Sequence, residues 1–153
     1  MLQINTNYQA KPLTILLISR MSIASPFITY HENGNMKEKG TYINGMLQGV
    51  FQEYDEDGKL IIQSHWKDDA LNGKLTHWRD VSTGLLYETT IYENNLKVFS
   101  SRFDSFSRIS ANYYYNSDGK CCRSVEYKRL QNGSTIVATT IPGYYYEEFI
   151  TSS

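Results

Sequence analysis

Apolar and polar residues alternate along most of this chain with the period of two that a β-strand produces. Between Lys59 and Trp66 the residues at even positions form one face of a predicted strand. That face consists of Leu60, Ile62, Ser64 and Trp66, and the opposite face of Ile61, Gln63 and His65. Since no long stretch shows the helical period of 3.6, the pattern predicts an all-β protein.

The strand pattern itself repeats along the chain. Residues 30–34 (YHENG) are matched 24 positions later by residues 54–58 (YDEDG). An aromatic residue opens each of five copies, and these residues are Tyr30, Tyr54, Trp78, Phe103 and Tyr127. Because repeat units of about 20–50 residues stabilise one another by stacking, we expect the five copies to form one continuous structure.

Each copy contains two chain reversals. The first contains Asn33-Gly34 or Asp57-Gly58, and these dipeptides favour a two-residue type I′ turn because Asn, Asp and Gly tolerate positive φ. The second, such as residues 44–49 or 68–73, is predicted to be a longer loop that contains glycine. Each copy is therefore predicted to be a β-hairpin that a loop joins to the next hairpin.

Short connections favour side-by-side pairing of these hairpins into one long antiparallel meander sheet. We predict a single domain over residues 1–153, with residues 1–10 mobile, 11–29 an N-terminal cap, 30–141 the repeats and 142–153 a C-terminal cap. The caps are expected to contribute strands near residues 12–19 and 143–150, with Pro26 and Pro142 close to the ends of the sheet.

Composition supports the strand prediction and argues against binding to nucleic acid or an anionic membrane through overall charge. The 153 residues include 13 Tyr, 6 Phe and 2 Trp, and aromatic residues are enriched in strands. Fifteen basic and sixteen acidic residues give a net charge of -1, so the chain has no overall field that attracts nucleic acid or an anionic membrane. The longest apolar run, residues 13–18, is shorter than the roughly 20 residues of a membrane-spanning helix. We predict no direct nucleic-acid binding and no membrane span.

The two cysteines, Cys121 and Cys122, are adjacent in the sequence. Neighbouring cysteines do not normally close an unstrained disulfide, so reduced thiols and a cytoplasmic location are expected. The apolar run at residues 13–18 is followed by Ser22-Ile23-Ala24, with small residues at 22 and 24, and has some likeness to a signal peptide, although Arg20 interrupts it. Export is therefore the alternative to a cytoplasmic location.

The first copy carries a family motif, YHENGNMKEKGTYING at residues 30–45, followed by Gly49 and Phe51. It resembles the MORN-repeat variant of bacterial YwqK-like antitoxins, whose unit runs roughly Y-x-E-N-G-x-x-K-x-x-G-x-Y-x-N-G-x-x-x-G. The resemblance covers residues 27–97. It implies an immunity or antitoxin protein, without catalysis, that neutralises a cognate toxin by direct stoichiometric binding. The alternative is a MORN-like interaction scaffold with another protein or lipid partner.

The sequence contains few residues arranged for chemistry. His65 and His77 flank the second connection of one copy and could be cross-strand neighbours, with Asp55 completing a metal site, but their spacing does not define a zinc motif. The chain also lacks the GxSxG, P-loop and GxGxxG motifs. We therefore predict no catalytic residue, no cofactor and no metal ligand.

Charge distribution indicates candidate binding residues instead. Residues 30–97 hold 11 acidic and 7 basic residues, and an acidic surface would complement a toxin with a basic active-site cleft. The acidic candidates for partner binding are Glu53, Asp55, Glu56, Asp57, Asp68 and Asp69, and the aromatic candidates are Tyr144, Tyr145 and Tyr146 in the C-terminal segment. We expect the acidic residues to lie on exposed turns, where charge affects association more than packing.

The repeat also generates a stability prediction. If Trp66 is buried between adjacent hairpins, its replacement by Ala should lower the free energy of unfolding by about 3–5 kcal/mol. Denaturant unfolding measures this change. A loss below about 1 kcal/mol would contradict burial and indicate an exposed ring.

Overall fold

A computed structural model describes residues 22–150 as one antiparallel sheet of 13 strands. The strands are β1 Ala24–Tyr30, β2 Met36–Ile43, β3 Met46–Leu47, β4 Gly49–Tyr54, β5 Leu60–Lys67, β6 Ala70–Leu71, β7 Gly73–Asp80, β8 Leu85–Glu93, β9 Leu96–Phe103, β10 Ile109–Tyr115, β11 Cys121–Arg129, β12 Thr135–Ile141 and β13 Tyr144–Ile150. The described residues contain no helix. The predicted all-β meander of hairpin repeats is confirmed.

The strands follow one another across the sheet in chain order, apart from two short ones. β3 pairs with β2, and β6 pairs with β5, beside the main path. β1 and β13 lie at the two ends of the described sheet. The expected mobility of residues 1–10 and the expected strand at residues 12–19 lie outside the described residues.

Cross-strand pairing defines two faces of the sheet, because paired residues point to the same side. We call face A the side that carries the row Glu38, Glu53, Ile62, His77, Glu88 and Arg102. Face B carries the row Lys39, Gln52, Gln63, Thr76, Thr89 and Ser101. The five aromatics that open the copies each follow a face A position and therefore lie on face B. The alignment of the five copies thus places equivalent residues on one side of the sheet.

A β-bulge interrupts the alternation at the start of several strands. Glu53 pairs with Ile62, but the next residue, Tyr54, pairs with Leu60, so Ile61 is an extra residue on β5. Because Glu53 and Tyr54 point to opposite faces, Leu60 lies on face B and not with Ile62. The predicted grouping of Leu60 with Ile62, Ser64 and Trp66 is therefore wrong at its first member. The same irregularity makes Lys37 the extra residue in β2 and Tyr87 the extra residue in β8.

The turns also differ from the prediction. We call the first margin the side of the sheet where residues 31–34, 55–58, 81–84, 104–107 and 130–133 connect strands, and the second margin the side where residues 44–45, 68–69, 94–95, 116–119 and 142–143 do so. At the first margin, Gly34 has a φ of 87° but Asn33 does not have a positive φ. Gly34 N–H donates to the carbonyl of His31 at 3.0 Å, closing a four-residue loop. The predicted two-residue turn at Asn33-Gly34 is therefore wrong.

Two-residue turns instead occur at the second margin, where longer loops were expected. Asn44 and Gly45 have φ values of 52° and 82°, and Asp68 and Asp69 have 51° and 61°. Positive φ at both positions is the requirement of a type I′ turn. In Asp68-Asp69 the requirement is met without glycine, since Asp tolerates the left-handed region better than most residues.

The sheet has no second layer within the described residues, so its own side chains provide what burial there is. Leu47, Ala111 and Val125 are the buried apolar residues there, and Ser100 is the largest side chain that is wholly buried. Gly40 shows how this works, because a Cβ built on it would lie 2.9 Å from the Phe27 ring and 3.1 Å from the Phe51 ring. Large rings therefore lie across small residues of the neighbouring strand.

Trp66 lies on the same face as Phe51 and is only half-buried. Its ring contacts Phe51 edge-on with centroids 6.3 Å apart, and its Nε1–H donates to Ser64 Oγ at 2.8 Å. The structure therefore lowers the expected cost of Trp66→Ala from the value for a buried ring to about 2 kcal/mol.

Gly40→Ala tests the covering of small residues by rings. Alanine is normally more stable than glycine in a strand by about 0.5–1 kcal/mol, but here the added methyl group would clash with Phe27 and cost about 1–3 kcal/mol. Denaturant unfolding should show a net loss, and adding Phe27→Leu should recover part of it. A stabilised Gly40→Ala protein would contradict the close approach.

Candidate protein-binding surface

The predicted acidic candidates do not form one surface. Glu53 lies on β4 and points to face A, and residues 55–57 form a turn at the first margin. Asp68 and Asp69 form a turn at the second margin, separated from the first by the whole length of β5. The eight residues of β5 span about 25 Å, so one compact partner site would not reach both turns through short contacts.

Asp69 has a structural role that explains its place at the second margin. Its N–H donates to the carbonyl of Leu47 at 3.2 Å, and its Oδ1 accepts the N–H of the same residue at 2.6 Å. Asn44 holds Ile23 in the same way, with distances of 2.9 and 3.1 Å. We call this pair of bonds the turn clamp.

Asn95 forms a third turn clamp, on Leu71, with distances of 2.9 and 2.7 Å. The Asp69 and Asn95 clamps join the turn of one hairpin to the backbone of the preceding repeat, and the Asn44 clamp joins the first repeat to Ile23 in the N-terminal cap. Sequence reasoning missed the clamps because it treated Asp69 as an exposed charge. The signal that could have revealed them is the recurrence of Asn or Asp at the second turn of every early copy.

Other acidic candidates also participate in turns. Asp55 Oδ1 accepts the N–H of Lys59 at 2.8 Å, and Asp68 Oδ1 accepts a hydrogen bond from Gln48 Nε2. Glu56 and Asp57 are exposed, and neither side chain has a hydrogen bond to the described residues. Among the predicted acidic candidates at the turns, these two are the ones whose side chains make no hydrogen bond to the described residues.

Face A of the first two repeats carries an unusual pair of carboxylates. Glu38 and Glu53 are direct cross-strand partners and both are half-buried. Burial raises the pKa of Glu53 above its ordinary value of 4.5, the charge of Glu38 raises it further, and His77 lowers it. Like charges opposite one another destabilise a strand pair.

Glu88 provides an internal comparison, since it occupies the same row of face A in a later repeat. Arg102 Nε lies 3.7 Å from Glu88 Oε2, and the Arg102 guanidinium lies over the Tyr113 ring at 5.0 Å. No Lys or Arg among the described residues forms an ion pair with Glu38 or Glu53. The described sheet therefore pairs one carboxylate of the row with an arginine and leaves the other two without a Lys or Arg partner.

Beside these carboxylates lies a row of aromatic rings on the same face. The ring centroids of Phe27 and Tyr42 are 5.0 Å apart, those of Phe27 and Phe51 are 6.2 Å apart, and those of Phe51 and Trp66 are 6.3 Å apart. We call these four residues the ring row. Tyr42 is 39% exposed, so the row presents apolar surface to solvent.

The histidines do not form the metal site considered above. His65 pairs with Val50 and lies on face B, where its Nδ1 is 2.7 Å from the carbonyl oxygen of Lys74. His77 lies on face A, 5.1 Å from the Tyr87 ring centroid. The described part of the chain contains no group of three His, Cys, Asp or Glu residues that could hold a metal ion.

The aromatic C-terminal candidates lie on β13, the last described strand. Tyr144 and Tyr145 are exposed, and Tyr146 pairs with Thr139 through the backbone. The Tyr145 hydroxyl donates a hydrogen bond to Glu147, which raises the pKa of Tyr145. The structure thus places these residues at the opposite end of the sheet from the ring row.

Comparison with known proteins identifies repeats in the part of the chain that carries this surface. Residues 26–44 and 47–68 match the family model described as MORN repeat variant. These two matches begin within β1, end just after β5 and omit residues 45 and 46. A comparison with curated proteins finds no match. No helix in the described residues is long and apolar enough to cross a membrane.

Solved structures show a partial likeness. The structure of a S. aureus TarM mutant in complex with fondaparinux, alpha-GlcNAc-glycerol and UDP is 14% identical over 67% of this chain, with a TM-score of 0.46. A second TarM structure is 14% identical over 67% of this chain, with a TM-score of 0.45. A GtfA/B complex bound to UDP and GlcNAc is 15% identical over 69% of this chain, with a TM-score of 0.39. The chain spans about a fifth of the length of each matched protein chain.

Asp69 variants test the turn clamp. Asp69→Lys removes the carboxylate acceptor and places a less suitable residue in the left-handed region, so it should lower the free energy of unfolding by about 1–2 kcal/mol. Asp69→Asn preserves the clamp that Asn44 and Asn95 already use, and should stay within about 0.5 kcal/mol of the original. Glu56→Lys makes the same charge reversal at an exposed site and serves as the control. Equal urea midpoints for all three variants would contradict the clamp.

Glu53→Gln tests the carboxylate pair through pH. Because the folded pKa lies above the ordinary 4.5, the folded state binds this proton more tightly, and unfolding free energy falls as pH rises through that window. The variant lacks this loss. The unfolding free energy of the variant should exceed that of the original protein at pH 7 by up to about 1 kcal/mol. This gain in stability should disappear below pH 4.5. A gain independent of pH, or an equal gain in Glu126→Gln, would contradict the explanation.

Proposed function

We propose that this protein is a binding protein without catalysis that neutralises a cognate bacterial toxin by direct, stoichiometric contact. The observation that carries the proposal is the single-layer sheet, whose face A combines exposed aromatic surface with carboxylates that have no Lys or Arg ion-pair partner among the described residues. Surfaces of this kind are typical of protein interaction sites. The two MORN repeat variant matches support an interaction role.

The toxin is the finer part of the proposal and rests on the resemblance of residues 30–45 to antitoxin repeats. A basic cleft in the toxin would complement the acidic residues of the first repeats, and complementary charge accelerates encounter. A cytoplasmic location is part of the same proposal, because neutralisation would take place where the toxin is made. An interaction scaffold with another protein or lipid partner is the second candidate, favoured by the MORN matches themselves.

Co-expression with the toxin-like product of a neighbouring reading frame tests the proposal. We expect the full chain to restore growth to cells that make the toxin, and to elute with it in a one-to-one complex from an affinity column and by size-exclusion light scattering. Failure to restore growth, together with no complex, would contradict toxin neutralisation. A complex with a neighbouring product that is not toxic would favour the scaffold.

A further inference from the structure

We propose that face A of the first two repeats, where the ring row borders Glu38 and Glu53, is a docking site for a cationic amphipathic segment of the partner protein. This inference rests on the proposed function in taking the partner to be a protein. It adds the chemistry of the segment that is recognised and the face of the sheet that receives it.

The carboxylates determine the charge of the occupant. Glu38 and Glu53 face each other at half-burial without a described ion-pair partner, whereas Glu88 in the same row has Arg102. A neutral occupant would remove more water from two like charges and bind poorly. A lysine or arginine brought above the pair would instead complete the ion pairing that the later repeat makes internally.

The ring row determines that the occupant is also apolar along one side. Gly40 allows the Phe27 and Phe51 rings to lie against the sheet, and Tyr42 and Trp66 extend this surface towards the second margin. Glu38 and Gly40 are two residues apart on one strand, so the carboxylates lie about 7 Å from the middle of the rings. A helix about 10 Å across can place an apolar stripe on the rings and basic residues of its flank on the carboxylates.

The same charges disfavour the other occupants. Anionic lipid headgroups would be repelled by Glu38 and Glu53, although an apolar surface alone would suit a membrane. A second copy docked by the same face would bring four carboxylates together. A cationic protein segment is the occupant that satisfies both the rings and the charges.

The test uses the full chain and a fluorescein-labelled synthetic peptide with Leu and Lys at helical spacing, compared with its Leu and Glu counterpart. Fluorescence anisotropy should show binding of the Lys peptide at least about tenfold tighter than that of the Glu peptide. The double variant Glu38→Gln with Glu53→Gln should bind the Lys peptide about tenfold more weakly. Its melting temperature should not fall, because the substitutions remove a repulsion between like charges. The matched control, Glu93→Gln with Glu126→Gln, makes the same change of net charge elsewhere and should stay within about twofold.

Aromatic variants test the second half of the site. Tyr42→Ala should lower the affinity for the Lys peptide about fivefold or more. Tyr30 is an exposed tyrosine on face B, and Tyr30→Ala should leave this affinity within about twofold of the original. Thermal melts show whether each variant is folded, and the two-glutamine variant keeps the test independent of any loss in Tyr42→Ala. Equal effects of the face A variants and their controls would overturn the inference.

Vesicles of phosphatidylserine and phosphatidylcholine provide a further arm. Binding of the protein to these vesicles that Tyr42→Ala abolishes would overturn the inference in favour of a membrane, and a dimer that Tyr42→Ala dissociates would overturn it in favour of a second copy.

Growth rescue separates the two proposals. If the two-glutamine variant still rescues growth, toxin neutralisation stands and this docking site is contradicted. If the original protein binds the Lys peptide specifically but does not rescue growth, the docking site stands and toxin neutralisation is contradicted.

Discussion

The covering of small residues by rings from neighbouring strands is the interaction on which the rest of this structure depends. A single-layer sheet has no opposing layer to remove water from its backbone hydrogen bonds. Phe27 and Phe51 do so by lying over Gly40. Farther along the sheet, the wholly buried Ser100 has its Oγ 3.2 Å from the hydroxyl oxygen of Tyr115. Stability is therefore built between adjacent strands and not around a central core, so each repeat depends chiefly on its immediate neighbours.

Burial within a single layer is incomplete, and the apolar surface that stays exposed can take part in binding. Rings on a single-layer sheet remain partly open to solvent, as Trp66 and Tyr42 do. The side chains that hold the sheet together are thus also the apolar surface it offers. In the first two repeats that surface adjoins Glu38 and Glu53, whereas in a later repeat Glu88 pairs with Arg102, whose guanidinium lies over the Tyr113 ring. The two halves of the sheet therefore differ in what they can receive.

Much of the fold followed from the sequence because its periods were clear. Alternation of two residues predicted strands, and the spacing of Tyr30 and Tyr54 predicted repeated hairpins. The errors arose where one residue changes the geometry: Ile61 is an extra residue that inverts the alternation before it, and Asp68-Asp69 adopts a tight turn without glycine. Neither feature alters the period, so neither is visible in it.

The candidate site was less predictable for a related reason. Glu53 was identified by its charge, but its partner Glu38 and the ring row depend on cross-strand register, which the bulges displace. The acidic turns were identified by composition alone, and Asp69 proved to hold the backbone of Leu47. Charge density in a sequence does not distinguish a carboxylate that serves the fold from one that meets solvent.

The turn clamps have a consequence for how such a protein can change. Each clamp engages only the backbone N–H and carbonyl of Ile23, Leu47 or Leu71, so it is indifferent to the side chains displayed on either face. Whole repeats can then be duplicated or exchanged while the joints between them are conserved. Proteins built with this turn clamp can therefore vary the residues that they present to different partners while the scaffold stays the same.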